Sequence, residues 1–231
     1  MADDESKVFL ITGASTGIGA ATARLAVEAG HRVVLAARSA DRLDALANEL
    51  GGDERAIAVA TDVTDWPQQE ALAARTLEQF GGLDVVFANA GFGAQRSFVG
   101  DSPEHWRDMV LTNVLGVAYT VRATLETIRE RRGHIILTSS AAGRRAIVGS
   151  LYSATKHAVT AMGESLRQEL NATGARVTLI EPGMVDTPFF DNPGEGRLEA
   201  DDVARIVMFA IAQPPRVDIN EILVRPTAQD G

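Results

Sequence analysis

Cysteine is absent from the chain, which excludes disulfides, thiolate metal sites and cysteine nucleophiles. Histidine is scarce: His31, His105, His134 and His157 stand apart, without the spacing of a metal site, and no metal is expected. Basic charge is in deficit, with 22 Lys and Arg against 31 Asp and Glu and a formal net charge of −9. The basic residues are scattered rather than gathered on one stripe, so no nucleic-acid partner is expected. No apolar run is long enough to span a bilayer, and the start, Met1-Ala2-Asp3-Asp4-Glu5-Ser6, is acidic where an export signal would be basic. These absences predict a cytoplasmic protein with no membrane partner.

What is present suits a single globular domain. The 231 residues, 45% hydrophobic and 23% charged, predict one domain over 1–231 with a large core. Strand-like apolar runs at Val8 to Thr12, Arg32 to Ala37, Ala56 to Ala60, Leu83 to Ala88, His134 to Thr138, Arg176 to Ile180 and Glu221 to Val224 alternate with amphipathic helical stretches such as Gly17 to Ala29, Asp41 to Leu50 and Pro67 to Phe80. The runs are near-continuous rather than alternating, as in parallel strands covered on both faces, and an α/β doubly wound sheet follows. Ligands of such sheets bind beyond the carboxyl ends of the strands, near the switch point. The least regular stretch, 188–199, sits between a strand end and the helix containing Asp201 to Ala212, and reads either as a substrate lid or as an ordinary connection. Its position beside the last central strand favours the lid.

The first strand runs into Gly13-Ala14-Ser15-Thr16-Gly17-Ile18-Gly19 and then a helix. Backbone amides and a helix N-terminus can there approach a pyrophosphate, provided no Cβ intervenes. The spacing is neither GxGxxG nor a P-loop, whose lysine is replaced by Ala20. The second strand ends Arg38-Ser39 and lacks the carboxylate that would hold both ribose hydroxyls of NAD. A guanidinium fork matches a 2′-phosphate, so NADP is favoured over NAD, the alternative being a solvated loop arginine. Asp62-Val63 after the third strand can meet the adenine amino group, or Asp62 can cap the next helix. Asn89-Ala90-Gly91 ends the fourth strand beside the ribose, or Asn89 satisfies a loop amide.

Tyr152 and Lys156 stand four apart in Tyr152-Ser153-Ala154-Thr155-Lys156. On a helix this puts phenol and ammonium on one face, where the cation would stabilise phenolate and pull a phenol pKa of about 10 downward. The pair is then a proton donor and its tuning charge.

Taken together, Thr12-Gly13-x-x-x-Gly17-Ile18-Gly19, Asn89-Ala90-Gly91, Tyr152-x-x-x-Lys156 and Pro182-Gly183 make the chain resemble the short-chain dehydrogenase/reductase family over nearly its whole length. The resemblance implies a single-domain Rossmann fold with a seven-stranded sheet and reversible NAD(P)-dependent reduction of a ketone or aldehyde to an alcohol. It makes Tyr152 the general acid/base and Lys156 the partner that lowers its pKa and binds the nicotinamide ribose. Asn113 becomes the helix asparagine that holds a water linking Lys156 to solvent. Backbone near Val185 and the Thr187 hydroxyl, after Pro182-Gly183, become the carboxamide clamp. For the carbonyl-polarising serine the chain offers Ser139 and Ser140. Ser140 stands three residues before Gly143, as the family's serine does, whereas Ser139 meets the family's usual distance from the tyrosine. Ser140 is preferred, with a shorter loop at Ile147 to Leu151 taking up the difference. Ala88 departs from the family's more frequent asparagine.

The expected substrate is a small carbonyl or alcohol. The segment from Val217 to Thr227 resembles family members that oxidise serine-like 3-hydroxy acids, and Arg144-Arg145 either attracts a carboxylate or is solvated or interfacial. A non-catalytic NADPH-binding sensor or scaffold with the same fold is the rival reading. The family also implies a homodimer or homotetramer on the helices around Pro103 to Arg131 and Leu151 to Thr173, unless Ala154, Ala158 and Ala161 simply pack on the sheet.

Overall fold

The computed structural model describes residues 6–95, 97–189 and 196–229. Strands β1 (Val8–Thr12), β2 (Arg32–Ala37), β3 (Ala56–Ala60), β4 (Val85–Ala88), β5 (His134–Thr138) and β6 (Arg176–Pro182) are joined by helices α1 (Gly17–Glu28), α2 (Ala40–Glu49), α3 (Trp66–Phe80), α4 (Pro103–Val110), α5 (Val117–Arg131) and α6 (Leu151–Glu169). Short strands β7 (Val185–Asp186) and β8 (Leu198–Glu199), helix α7 (Ala200–Ile211) and strand β9 (Glu221–Val224) complete the order. The main sheet is seven-stranded and Rossmann-like, ordered β3-β2-β1-β4-β5-β6-β9, and each pairing is parallel.

Strand periodicity divides the core. Phe9 and Ile11 face α1, α2 and α7, while Val8 and Leu10 face α3, α5 and α6. Both faces are buried, which is why the strands read as unbroken apolar runs. Helix ends are set by local chemistry: the Asp65 side chain accepts the Gln68 N–H at 3.0 Å to start α3, with Pro67 in its first turn, and Gly81 at φ 71° ends it.

The expected strands are present, with two changes of boundary. The fourth begins at Val85 rather than Leu83, preceded by Asp84, whose N–H donates to the Val8 carbonyl at 2.9 Å and whose carboxylate accepts the Val8 N–H and the Arg131 guanidinium. The sixth continues to Pro182, since β9 pairs with it up to Pro182↔Val224. The stretch 188–199, read as irregular, contains β8, which pairs with β7 in a separate two-stranded parallel sheet. The remainder of that reading, 190–195, lies outside the described residues. Among the described residues no helix is long and apolar enough to cross a membrane.

Candidate active site

An open cleft of about 1780 Å³ runs along the carboxyl ends of the strands. Strand order reverses between β1, which leads outward to β2, and β4, which starts the other half of the sheet. At this switch point Gly13, Ser15, Thr16, Gly17 and Ile18 line the cleft from the turn after β1. Gly13 has φ +66°, and a Cβ on it would lie 2.9 Å from the Ala90 Cα. Gly19 lies behind the wall, where a Cβ would sit 2.5 Å from the Gly13 carbonyl oxygen. The glycines thus let the turn fold flat against the loop after β4. Helix α1 opens on this turn with no acidic residue in its first turn and no side chain bonded to its cap. Its positive end and free amides suit a pyrophosphate.

Arg38 and Ser39 reach the cleft from the end of β2, both exposed, and Asp62 and Val63 from the end of β3. Asp62 does not cap α3. Its Oδ1 accepts the Thr64 N–H at 2.9 Å and hydroxyl at 2.8 Å. Desolvation would raise this carboxyl, but the bonds from Thr64 and the charge of Arg38 hold it below its ordinary value. Asn89, Ala90 and Gly91 line the middle of the cleft. The Asn89 amide is committed to the fold: Nδ2 donates to the Thr12 carbonyl at 3.1 Å, and Oδ1 accepts the Thr138 hydroxyl at 3.1 Å. Thr12 Oγ1 accepts both the Asn89 N–H at 3.0 Å and the Ala90 N–H at 3.1 Å. Thr12 and Thr138 were missed from the sequence. Their signal there is a threonine closing an apolar strand, to which Thr12 adds its place at the head of the glycine motif.

Tyr152 and Lys156 share one face of α6, with Lys156 Nζ 5.7 Å from the phenol ring centroid. The ammonium is buried and donates to the Thr138 carbonyl at 2.7 Å. Burial lowers its pKa to about 8. The expected downward pull on the phenol is reversed in this structure. Desolvation pushes Tyr152 up to about 12, with the Ser140 hydrogen bond acting against the rise. Spacing predicts the neighbour correctly, but the lysine spends its hydrogen bond on a backbone carbonyl while the phenol loses water.

The two serines face different surroundings. Ser139 Oγ is buried against α6, donating to the Lys156 carbonyl at 3.1 Å and sharing a hydrogen with Thr160 Oγ1 at 2.8 Å. Ser140 Oγ accepts the Ala142 N–H at 3.1 Å, donates to the Pro182 carbonyl at 3.3 Å, and sits against the Tyr152 hydroxyl. Asn113 lies behind the cleft wall in a π-helical turn at Leu111–Gly116. Its side chain brackets Phe92, accepting the N–H at 3.0 Å and donating to the carbonyl at 2.8 Å. A Cβ on Gly91 would be 3.0 Å from Asn113 Oδ1 and 3.6 Å from Lys156 Nζ, so all three are neighbours.

Pro182, Gly183, Val185 and Thr187 close the far side of the cleft. Thr187 meets the glycine turn, its Cβ lying 3.2 Å from where a Cβ on Gly17 would stand. Next to it, Phe189 stacks edge-on against Tyr152, ring centroids 5.6 Å apart. Arg144 is not available to a carboxylate substrate, because it pairs with Glu181 and Glu221. Arg145 is exposed and lines the cleft.

Comparison with known proteins agrees with this fold. The family profile described as short chain dehydrogenase matches residues 7–197. A Staphylococcus aureus protein named as an uncharacterized oxidoreductase is 40% identical over 225 residues, covering 95% of this chain and 97% of its own. An alcohol dehydrogenase from Thermococcus sibiricus, solved with 5-hydroxy-NADP, superposes with a TM-score of 0.90 at 33% identity, covering 98% of this chain and 99% of that one. Serine dehydrogenase from Escherichia coli gives a TM-score of 0.89 at 32% identity, covering 97% and 100%. With a match of this extent in both sequence and fold, the chain belongs to the short-chain dehydrogenase family of oxidoreductases.

Proposed function

We propose that the protein is an NADP(H)-dependent oxidoreductase that interconverts a small ketone or aldehyde and its alcohol, with Tyr152 as general acid/base. The observation that carries the reading is the meeting of the Tyr152 phenol, the Ser140 hydroxyl and the Lys156 ammonium in a cleft whose other half is a glycine turn opening a helix. NADPH, when bound, supplies a hydride to the carbonyl carbon. Ser140 Oγ donates a hydrogen bond to the carbonyl oxygen, and Tyr152 Oη hands that oxygen a proton as negative charge develops there. Lys156, cationic at neutral pH, stabilises the resulting phenolate. Phe189 shields the phenol edge from water. In the oxidative direction each proton moves the other way.

Preference for NADP rests on Arg38 and Ser39, exposed at the end of β2 in place of the carboxylate that would bind the ribose hydroxyls of NAD. The likeness to serine dehydrogenase, together with Arg145 on the cleft, which pairs with no carboxylate among the described residues, supports a small 3-hydroxy acid as the alcohol. A homodimer or homotetramer is supported by Ala154 and Ala161, which lie exposed on α6 rather than packed on the sheet, and light scattering measures it.

The deciding experiment follows nicotinamide absorbance with both cofactors against propanal, acetone, methylglyoxal, L-serine and 3-hydroxybutyrate. Tyr152→Phe is expected to lower kcat by about 10²–10⁴-fold while NADPH still binds. Full kcat in that variant defeats the tyrosine role. Nucleotide binding without oxidation or reduction of any of these compounds would point to the sensor or scaffold reading instead.

A further inference from the structure

Behind Ser140 lies an ionic arrangement that the proposed chemistry leaves unused. Glu181, with its side chain 2% exposed at the end of β6, accepts Arg144 Nε on both carboxylate oxygens, at 2.8 and 3.0 Å. The same guanidinium reaches Glu221 on β9 through Nη2. Thr160 Oγ1 lies 3.4 Å from Glu181 Oε1 and 2.8 Å from Ser139 Oγ, which in turn bonds the Lys156 carbonyl.

The 3-10 turn Ala141–Gly143 ties these groups to the cleft. Ser140 caps its start, and Arg144 closes its end by donating its N–H to the Ala141 carbonyl at 3.2 Å. Both ends are fastened to consecutive residues of β6: Ser140 to the Pro182 carbonyl, Arg144 to Glu181. Between them the turn presses on α6 at Gly143, where a Cβ would be 2.8 Å from the Lys156 carbonyl oxygen and 2.9 Å from Thr160 Oγ1. The Ser140 tie, at 3.3 Å between neutral groups, is long and weak, and a substrate carbonyl would compete for the same hydroxyl proton. The Arg144 tie is short and charge-assisted.

We propose that Arg144 and Glu181 form a clamp that holds the Ser140 hydroxyl at the substrate carbonyl, and so act as positioning residues of the reaction. The inference rests on the oxidoreductase reading above. A buried ion pair gains little stability over an apolar pair of equal volume, so its value here is geometric. Loss of the clamp leaves the turn fastened only by the bond that the substrate must displace.

Arg144→Met/Glu181→Gln removes the clamp without stranding a buried carboxylate, since the Glu221 that also loses its partner is one-third exposed to water, and Glu181→Gln alone is a milder second variant should the double one not fold. With the fastest substrate of the panel above, kcat is expected to fall about 10- to 100-fold in the double variant, with the nucleotide KM changed less than about twofold. In a Ser140→Ala background the same pair of changes should cost almost nothing further, because the group being positioned is gone. A folded clamp variant with unchanged kcat overturns the proposal, as does the same fold-loss in both backgrounds. An unsubstituted chain that turns over none of the panel removes the parent reading, and the clamp falls with it.

Discussion

Thr12→Val is a sharp test of how the sheet presents its nucleotide side. Valine matches threonine in volume and strand propensity, so the change deletes one buried oxygen and little else. That oxygen accepts the Asn89 and Ala90 amides at 3.0 and 3.1 Å, and among the described residues no other acceptor is bonded to either N–H. An orphaned buried donor costs about 1–3 kcal/mol. Both amides are half-buried at the cleft edge, where water reaches them in part, so the sum falls to about 2–3 kcal/mol rather than the upper limit of about 6. At about 2–4 °C per kcal/mol, Tm drops by roughly 4–12 °C. Thr12→Ser is the control: it keeps the acceptor and loses a methyl group, at about 1 kcal/mol. Urea unfolding ranks the three chains, and fluorescence titration gives NADPH affinity, which should weaken in Thr12→Val as the Asn89 to Gly91 loop loosens. If Thr12→Val equals or exceeds Thr12→Ser in stability, the double hydrogen bond does not hold this loop.

Arg38→Ala should raise the KM for NADPH about 10- to 100-fold, the worth of a charged hydrogen-bond pair, and leave that for NADH nearly unchanged; an unaltered ratio of the two refutes the 2′-phosphate contact. Lys156 is a cation below about pH 8, so carbonyl reduction should decline as pH rises through that value, and a rate that is flat from pH 7 to 9 separates the ammonium from the chemistry. Burial, with the nearby Arg176 charge adding to it, lowers His134 from 6.5 to about 3. As pH falls below 6.5 the unfolded chain takes up a proton that the folded chain refuses, so stability should drop by about 2 kcal/mol between pH 7 and pH 5 in urea melts, and His134→Gln should abolish that part of the drop.

The strands were legible because both their faces are covered: Val8 to Thr12 or His134 to Thr138 cannot be anything else once every second residue meets a helix on one side and every other on the opposite side. Glycine spacing and the Tyr152–Lys156 step were legible because they are local. What stayed hidden depends on contacts far apart in sequence or on burial. Strands β7 and β8 have two residues each, too short for any periodicity. The π-helical turn around Asn113 leaves no pattern in residue types. Arg144 reads as a solvated cation next to Arg145, and only the fold brings Glu181 and Glu221 to it. The phenol pKa follows the same rule, since a four-residue step says where the ammonium is and nothing of how much water the hydroxyl keeps.

Burial and chemistry pull against each other at this site. Desolvation disfavours both charges, raising Tyr152 to about 12 and lowering Lys156 to about 8, so at neutral pH the phenol is held neutral and the amine stays cationic by a narrow margin. A neutral phenol is a ready proton donor but a poor acceptor, which suits carbonyl reduction at neutral pH better than alcohol oxidation. Groups that favour phenolate must therefore be placed against that bias, and the hydrogen bond from Ser140 is the one this chain supplies directly. Ser140 has a single hydroxyl proton, which eases the phenol toward ionisation in the empty cleft and turns to the carbonyl oxygen once substrate is bound, so both roles fail together if its turn drifts. The two directions share one path and one overall equilibrium, so Ser140→Ala should lower kcat/KM for oxidation and reduction by the same factor at pH 7, and with the phenol's hydrogen bond gone it should move the pH profile of oxidation upward. A loss in kcat/KM with no movement of the pH profile would show that the serine acts on the carbonyl alone.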